Sequence, residues 1–363
     1  MKLSRAHVLC RDIQKGGMMF GVVLIAVWGL AADVDQVELE TRQVVDRSLP
    51  FLARDGNRWR QQRGCVSCHH VPFMIWAHNE AGARGIAIDR TKINEMTNWA
   101  FVNMLAEREE VGGADTISQV LLGRDRNSVW RKKPPRHYKT VDPYETLFEI
   151  LLERQNEDGS WPPEGQLTTP PELTTRWALL ALDSRNDSPV DPGIGLDAEK
   201  DLGSEIGRLL PRIEERIPEA RLRAGKYLQG VEPHETNEGL ALRALLEQAA
   251  PEGDRDLYRA KLLARQKADG GWSNRFDHPQ SDAFATGQAM YALARIGNPD
   301  DHQAIARARD FLIQSQQKNG SWEVPADRVR DGKRSESLDE VFSYWGTAWA
   351  TIGLLHTLDE GDN

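Results

Sequence analysis

Cysteine is nearly absent: the chain carries three in 363 residues, at positions 10, 65 and 68. Cys10 falls in an N-terminal leader, so an exported, processed chain keeps only Cys65 and Cys68, three residues apart. Excess positive charge is also missing. Lys and Arg total 46 against 55 Asp and Glu, a net charge of −9, which argues against a nucleic-acid partner. Nor is there a long apolar run. The most apolar stretch, 18–30, is too short for a comfortable transmembrane span. What is present is 40% apolar residues and eleven tryptophans, enough to build a large core and unlike a disordered chain.

The first 31 residues read as a signal peptide. Lys2, Arg5, Arg11 and Lys15 precede the apolar stretch, and Gly29 and Ala31 supply small residues ahead of an expected cleavage after Ala31. Loss of this segment removes a net +3 and takes the chain from −9 to −12. The expectation is an exported, periplasmic protein, anchored if the leader stays attached, with residues 32–363 forming a single domain.

The two remaining cysteines stand in Cys65-Val66-Ser67-Cys68-His69, the spelling of a c-type haem attachment site. Two thiols at this spacing can add to the two vinyl groups of one porphyrin, and the adjacent imidazole of His69 can ligate the iron as proximal ligand. The expected cofactor is one covalent haem c. A disulfide between Cys65 and Cys68, or a metal such as zinc held with distant histidines, stays open as an alternative. No sixth iron ligand follows from the sequence. Met74, Met96 and Met104 read as core residues, and His78 and His137 are further candidates.

Internal repeats set the architecture. Gln155-Asn156-Glu157-Asp158-Gly159-Ser160-Trp161, Gln266-Lys267-Ala268-Asp269-Gly270-Gly271-Trp272 and Gln316-Gln317-Lys318-Asn319-Gly320-Ser321-Trp322 share one pattern. Each follows an apolar helical run (144–154, 258–265, 304–315) and precedes a helix of small and apolar residues (175–182, 286–293, 347–354). Self-similarity of this kind means stacked helical hairpins. A worn copy lies at 221–229 with 238–245, and two more hairpins are expected at 42–53 with 71–81 and 94–107 with 116–123. Ala and Gly in the second helix of each pair permit the close approach of an inner ring. Trp59, fourteen residues before Phe73 as Trp161 is before Thr175, puts the haem motif at the matching place in the first hairpin.

These repeats resemble the "QW" repeats of the squalene cyclase and prenyltransferase family. The resemblance implies an all-α fold, an α/α toroid of six helical hairpins with inner and outer rings around a central apolar cavity. The family's chemistry does not carry over. The Asp-x-Asp-Asp run of its class II cyclases is missing, the separated Asp, Cys and His zinc ligands of its prenyltransferases have no counterpart, and so has the Cys-Gly-Glu-Gln of thioester toroids. Acidic residues do gather where inner helices begin: Asp115, Glu172, Glu235, Glu238 and Asp282. Helix capping is the simpler reading, with Asp282 a weak catalytic candidate.

The sequence thus favours a haem-bearing toroid for electron transfer or haem-dependent redox chemistry, with a redox protein partner and a lipid or isoprenoid in the cavity. The alternatives are an isoprenoid cyclase-like or lipid-binding toroid without haem, and a non-catalytic extracellular binding toroid.

Overall fold

The computed structural model describes residues 20–64, 66, 70–105, 112–125, 143–163, 169–185, 202–249, 255–274, 278–326 and 336–360. Twelve helices of one turn class cover most of them: α1 (Phe20–Arg63), α2 (Val71–Ala83), α3 (Arg90–Leu105), α4 (Ala114–Leu122), α5 (Pro143–Glu153), α6 (Pro171–Ser184), α7 (Leu202–Gln229), α8 (Asn237–Ala249), α9 (Arg255–Leu263), α10 (Ala283–Ile296), α11 (His302–Ser315) and α12 (Glu336–Leu355). Among the described residues no strand forms beyond one isolated bridge, Trp272 with Asp282.

The even-numbered helices pack in the order α2, α4, α6, α8, α10, α12 and back to α2, a closed ring. The odd-numbered helices pack on the outside of this ring, α3 against α2, α5 against α4, α7 against α6, α9 against α8 and α11 against α10, while α1 touches both α12 and α2. This is an α/α toroid of six hairpins, and all six hairpins expected from the sequence are present. None of the helices is long and apolar enough to cross a membrane among the described residues.

Glycine sets the tightest inner contact. A Cβ on Gly287 of α10 would collide with the Trp349 backbone of α12, and one on Gly353 would come within 2.6 Å of the Gly287 carbonyl oxygen. A Cβ on Gly346 would strike the Val324 side chain and lie 3.4 Å from the Phe284 backbone nitrogen of α10. Rising numbers on α10 match rising numbers on α12, so these inner helices run parallel. Parallel inner helices place every inner N-terminus at one end of the toroid.

The three tryptophan motifs are built alike. Trp161, Trp272 and Trp322 are buried, and their indole N–H groups donate to Leu151, Leu262 and Leu312 at 2.7, 2.7 and 2.8 Å. Their backbone N–H groups donate to the hydroxyls of Thr175, Thr286 and Thr347. Each motif glutamine reaches sideways instead. Gln155, Gln266 and Gln316 donate to the carbonyls of Ala220, Ala304 and Val44, each on the next outer helix, and back to Gly159, Gly270 and Gly320 in their own loops. The last of these links α11 to α1 and closes the outer ring.

Candidate functional site

The axis of the ring is where side chains from every part of the sequence meet. Trp76 of α2 packs on Trp177 of α6 with ring centroids 6.5 Å apart, and on Tyr291 of α10 at 5.7 Å. Trp177 reaches Trp349 of α12 at 5.9 Å, and Trp76 reaches Trp349 at 5.4 Å. Helices α2 and α6 are not neighbours in the ring, nor are α6 and α12, so these contacts cross it. All four rings are buried. At this level aromatic side chains line the axis.

Towards the N-terminal end of the inner helices the aromatic lining continues. Phe73 lies 6.0 Å from Trp345, Phe284 lies 5.2 Å from Trp345, and Phe342 lies 6.1 Å from it. Phe73, Phe284 and Phe342 are buried, whereas Trp345 is only half-buried. This end of the axis is therefore lined by aromatic rings, with acidic residues near the starts of the inner helices.

Four of the five acidic residues expected there, Asp115, Glu172, Glu238 and Asp282, are committed to structure. Asp282 is the N-cap of α10: one oxygen accepts from the Ala285 N–H at 2.7 Å and the other from the Asn274 N–H at 3.0 Å. Both acceptor oxygens being held by backbone donors, capping accounts for its position. Glu172 accepts from Arg176 at 2.6 Å and from the His234 backbone at 3.2 Å, with Arg243 at 3.6 Å, and so ties α6 to α8. Glu238 accepts from the indole N–H of Trp177 at 2.8 Å. Asp115 accepts from the Thr116 N–H in the first turn of α4, and Glu235 is exposed.

Cys65, Cys68 and His69 lie outside the described residues. Their neighbours are placed. Val66 packs against two apolar clusters, one of them made by Val71, Met74 and Ile75 of α2 with Ile93, Met96 and Ala100 of α3. His70 precedes α2 and is buried between two rings, Trp59 at 4.2 Å and Tyr344 at 4.0 Å, both stacked. The Tyr344 hydroxyl lies 3.1 Å from the Leu52 carbonyl and 3.2 Å from that of His70, and burial raises its pKa well above the ordinary phenol value. Residues 64, 66 and 70 thus stand at the N-terminal end of α2, the same end of the toroid as the starts of α6 and α10.

The alignment of Trp59 with Trp161 does not hold. Trp161 sits in a loop after α5, but α1 continues through Trp59 to Arg63, so Trp59 stacks on His70 instead of filling the motif loop. Met74, Met96 and Met104 are buried core residues, as expected, and His137 lies outside the described residues. His78 is buried with Nδ1 2.7 Å from the Met74 carbonyl, and burial lowers its pKa. Among the described residues no group of three His, Cys, Asp or Glu side chains is arranged to hold a metal ion.

Sequence reasoning missed a buried polar cluster at the opposite end. Glu80 of α2 accepts from Arg84 at 2.5 Å and from the Trp76 indole N–H at 3.3 Å. His356, just beyond α12, faces Arg84 with Nδ1 at 3.3 Å and Glu80 with Nε2 at 3.4 Å. The Arg84 guanidinium only donates, so Nδ1 is the acceptor and the imidazole proton sits on Nε2, towards Glu80. Glu80 and Arg84 lie some 270 positions from His356 in sequence, and only ring closure brings them together.

Comparison with known proteins agrees with this geometry. Residues 232–318 match the squalene-hopene cyclase N-terminal domain. A copalyl diphosphate synthase from Streptomyces cyslabdanicus is 36% identical over 89 residues, covering 23% of this chain and 16% of the relative. A squalene-hopene cyclase from Zymomonas mobilis is 34% identical over 95 residues, covering 26% of this chain and 14% of the relative. These alignments therefore span about one sixth of the curated relatives' length. Among solved structures, a possible member of the GH105 family from Salmonella enterica serovar Paratyphi A superposes over 88% of this chain and 94% of its own, with a TM-score of 0.54 and 14% identity. That likeness concerns the fold alone. The chain is an α/α toroid whose residues 232–318 are similar to the N-terminal domain of squalene-hopene cyclase.

Proposed function

We propose that this toroid binds an apolar, isoprenoid-class molecule at the aromatic mouth formed by α2, α10 and α12. The observation that carries this reading is the half-buried Trp345 set among Phe73, Phe284 and Phe342, above a floor of Trp177 and Trp349. Aromatic rings supply large apolar area and polarisable faces, which suit an unsaturated hydrocarbon. The similarity of residues 232–318 to squalene-hopene cyclase points to the same class of ligand. The proposed role is binding alone; the Asp-x-Asp-Asp acid is missing from the sequence, and Asp282 serves as a helix cap. Titration with farnesene, followed by tryptophan fluorescence, tests it. Saturable quenching is expected, weakened about tenfold or more in Trp345→Ala. Lack of any saturable change would refute it.

A second reading is favoured by one observation of its own, the spelling Cys65-Val66-Ser67-Cys68-His69, which ends two positions before the start of α2 in the sequence. On this reading the two thiols attach one haem c, His69 ligates its iron, and the bound haem supplies one-electron chemistry beside the mouth. A pyridine haemochrome spectrum of protein exported from a host with c-type maturation decides the matter. A c-type band that disappears in the Cys65→Ser, Cys68→Ser double variant supports it, and no band in the wild type excludes it.

A further inference from the structure

Inside the aromatic axis lie buried polar groups with no hydrogen-bond partner among the described residues. Gln288 is 2% exposed, and neither its amide oxygen nor its amide nitrogen has a hydrogen-bond partner. It occupies α10 four residues after Phe284 and three before Tyr291, and both of those rings face the axis, so Gln288 lies on the same face between them. Trp349, in the crossing cluster itself, has an indole N–H with no partner. Across the ring, Gln119 of α4 is also 2% exposed with its amide oxygen unpartnered. Ile117 and Leu121 of α4 pack outward against α5, which puts Gln119 on the opposite, axial face.

Buried polar atoms are nearly always satisfied, and each one left bare is costly. Three on one axis, from three helices, need a common explanation. We infer that they form the head-group site for the ligand of the mouth, and that this head is a neutral oxygen, a hydroxyl or carbonyl on an apolar isoprenoid skeleton. The inference rests on the binding role proposed above and narrows its ligand. Carboxamides offer one donor and one acceptor face each, and the indole offers a donor, so together they complement an alcohol or a ketone. None of the three carries charge, and burying a diphosphate among aromatic rings without cations would cost far more than its hydrogen bonds return. The register supports a dedicated position. Trp177, Gln288 and Trp349 each stand two residues after Thr175, Thr286 and Thr347, the threonines that receive the motif tryptophans. Two of the three equivalent sites hold Trp and the third an amide.

The test compares farnesol, farnesene and farnesyl diphosphate on the full chain by fluorescence titration. The wild type should bind farnesol about tenfold tighter than farnesene, the measure of a satisfied buried polar pair, and farnesyl diphosphate more weakly than farnesol. In Q288L, an apolar replacement of similar volume, the farnesol preference should shrink to within about threefold; Q119L gives an independent reading should Q288L fail to fold. Equal binding of farnesol and farnesene by the wild type, or an undiminished preference in both variants, overturns the inference while leaving the binding role intact. Equal or tighter binding of the diphosphate overturns the neutral head. Failure of all three ligands to bind overturns both.

Discussion

At the scale of single residues, the repeat motif is a set of small, separable jobs. The glycine is the most constrained. Gly159, Gly270 and Gly320 have φ of +92°, +90° and +87°, and a Cβ at each would run into the carbonyl of Arg223, Arg307 or Arg47 on the next outer helix. Both the backbone angle and the collision exclude a side chain, so Gly270→Ala should lower stability by more than about 1 kcal/mol, measured by urea unfolding. Trp272→Ala, which empties a wholly buried site and strands the Leu262 carbonyl, should cost about 3–5 kcal/mol. Comparable losses at Trp161 and Trp322 are expected because their partners are equivalent. These roles were legible in sequence, since Gln, Gly and Trp recur at fixed spacing. The role of Gln288 was legible in the same register but obscured by chemistry: an amide standing where two repeats place tryptophan reads as an ordinary surface residue until burial is known.

At the scale of elements, helix order came directly from hydrophobic and small-residue repeats, while helix ends and cross-ring pairs did not. Helix α1 runs to Arg63 because Gly56, unlike the motif glycines, does not take a positive φ, and the first glycine that does is Gly64. A fourteen-residue spacing could not reveal that. The junction of α2 with α12 shows the other limit, because Glu80, Arg84 and His356 share no local pattern. Its consequence is a pH dependence. Burial lowers the pKa of His356 despite the nearby Glu80 carboxylate, with Arg84 and Arg295 also lowering it, and burial lowers that of His78. Their folded values lie below the ordinary imidazole value, so the unfolded chain takes up protons first as pH falls. Their stabilising effect is full above pH ~6.5 and declines below it, by up to about 1.4 kcal/mol per pH unit for each imidazole. Glu80 is held far below the usual carboxylate range: burial opposes this, but His356 and Arg84 outweigh it. Its contribution persists to strongly acid pH. The melting temperature should therefore fall between pH 7 and pH 5, and His356→Gln should flatten that fall. A wild-type melting temperature constant over this interval would mean that these imidazoles take up protons as readily in the folded protein as in the unfolded chain.

At the scale of the whole molecule, the ring is closed by contacts that no local sequence feature announces. Gln316 donates to Val44 at 2.9 Å and accepts from Arg47 at 2.8 Å, Thr351 donates to Ser48 at 2.8 Å, and Tyr344 joins Leu52 and His70. Each spans at least 269 of the 363 positions. Gln266 makes the same two kinds of bond, to Ala304 and from Arg307, but between adjacent hairpins. The two glutamines are thus a matched pair, alike in chemistry and different in sequence separation. Contacts of long separation require the rest of the chain to be ordered before they form, and they are expected late in folding. A change confined to the seam should then speed unfolding and leave the folding rate nearly untouched, because the lost bond is absent from the transition state. Gln316→Leu is expected to raise the unfolding limb of the chevron, whereas Gln266→Leu should divide its effect between both limbs. Native-state hydrogen exchange gives the structural counterpart. With the seam weakened, amides of residues 42–52 in α1 should exchange faster at low denaturant while those of α8 and α10 keep their protection. Uniform acceleration across all six hairpins would instead mean that the toroid opens as one unit, with no seam distinct from its other joints.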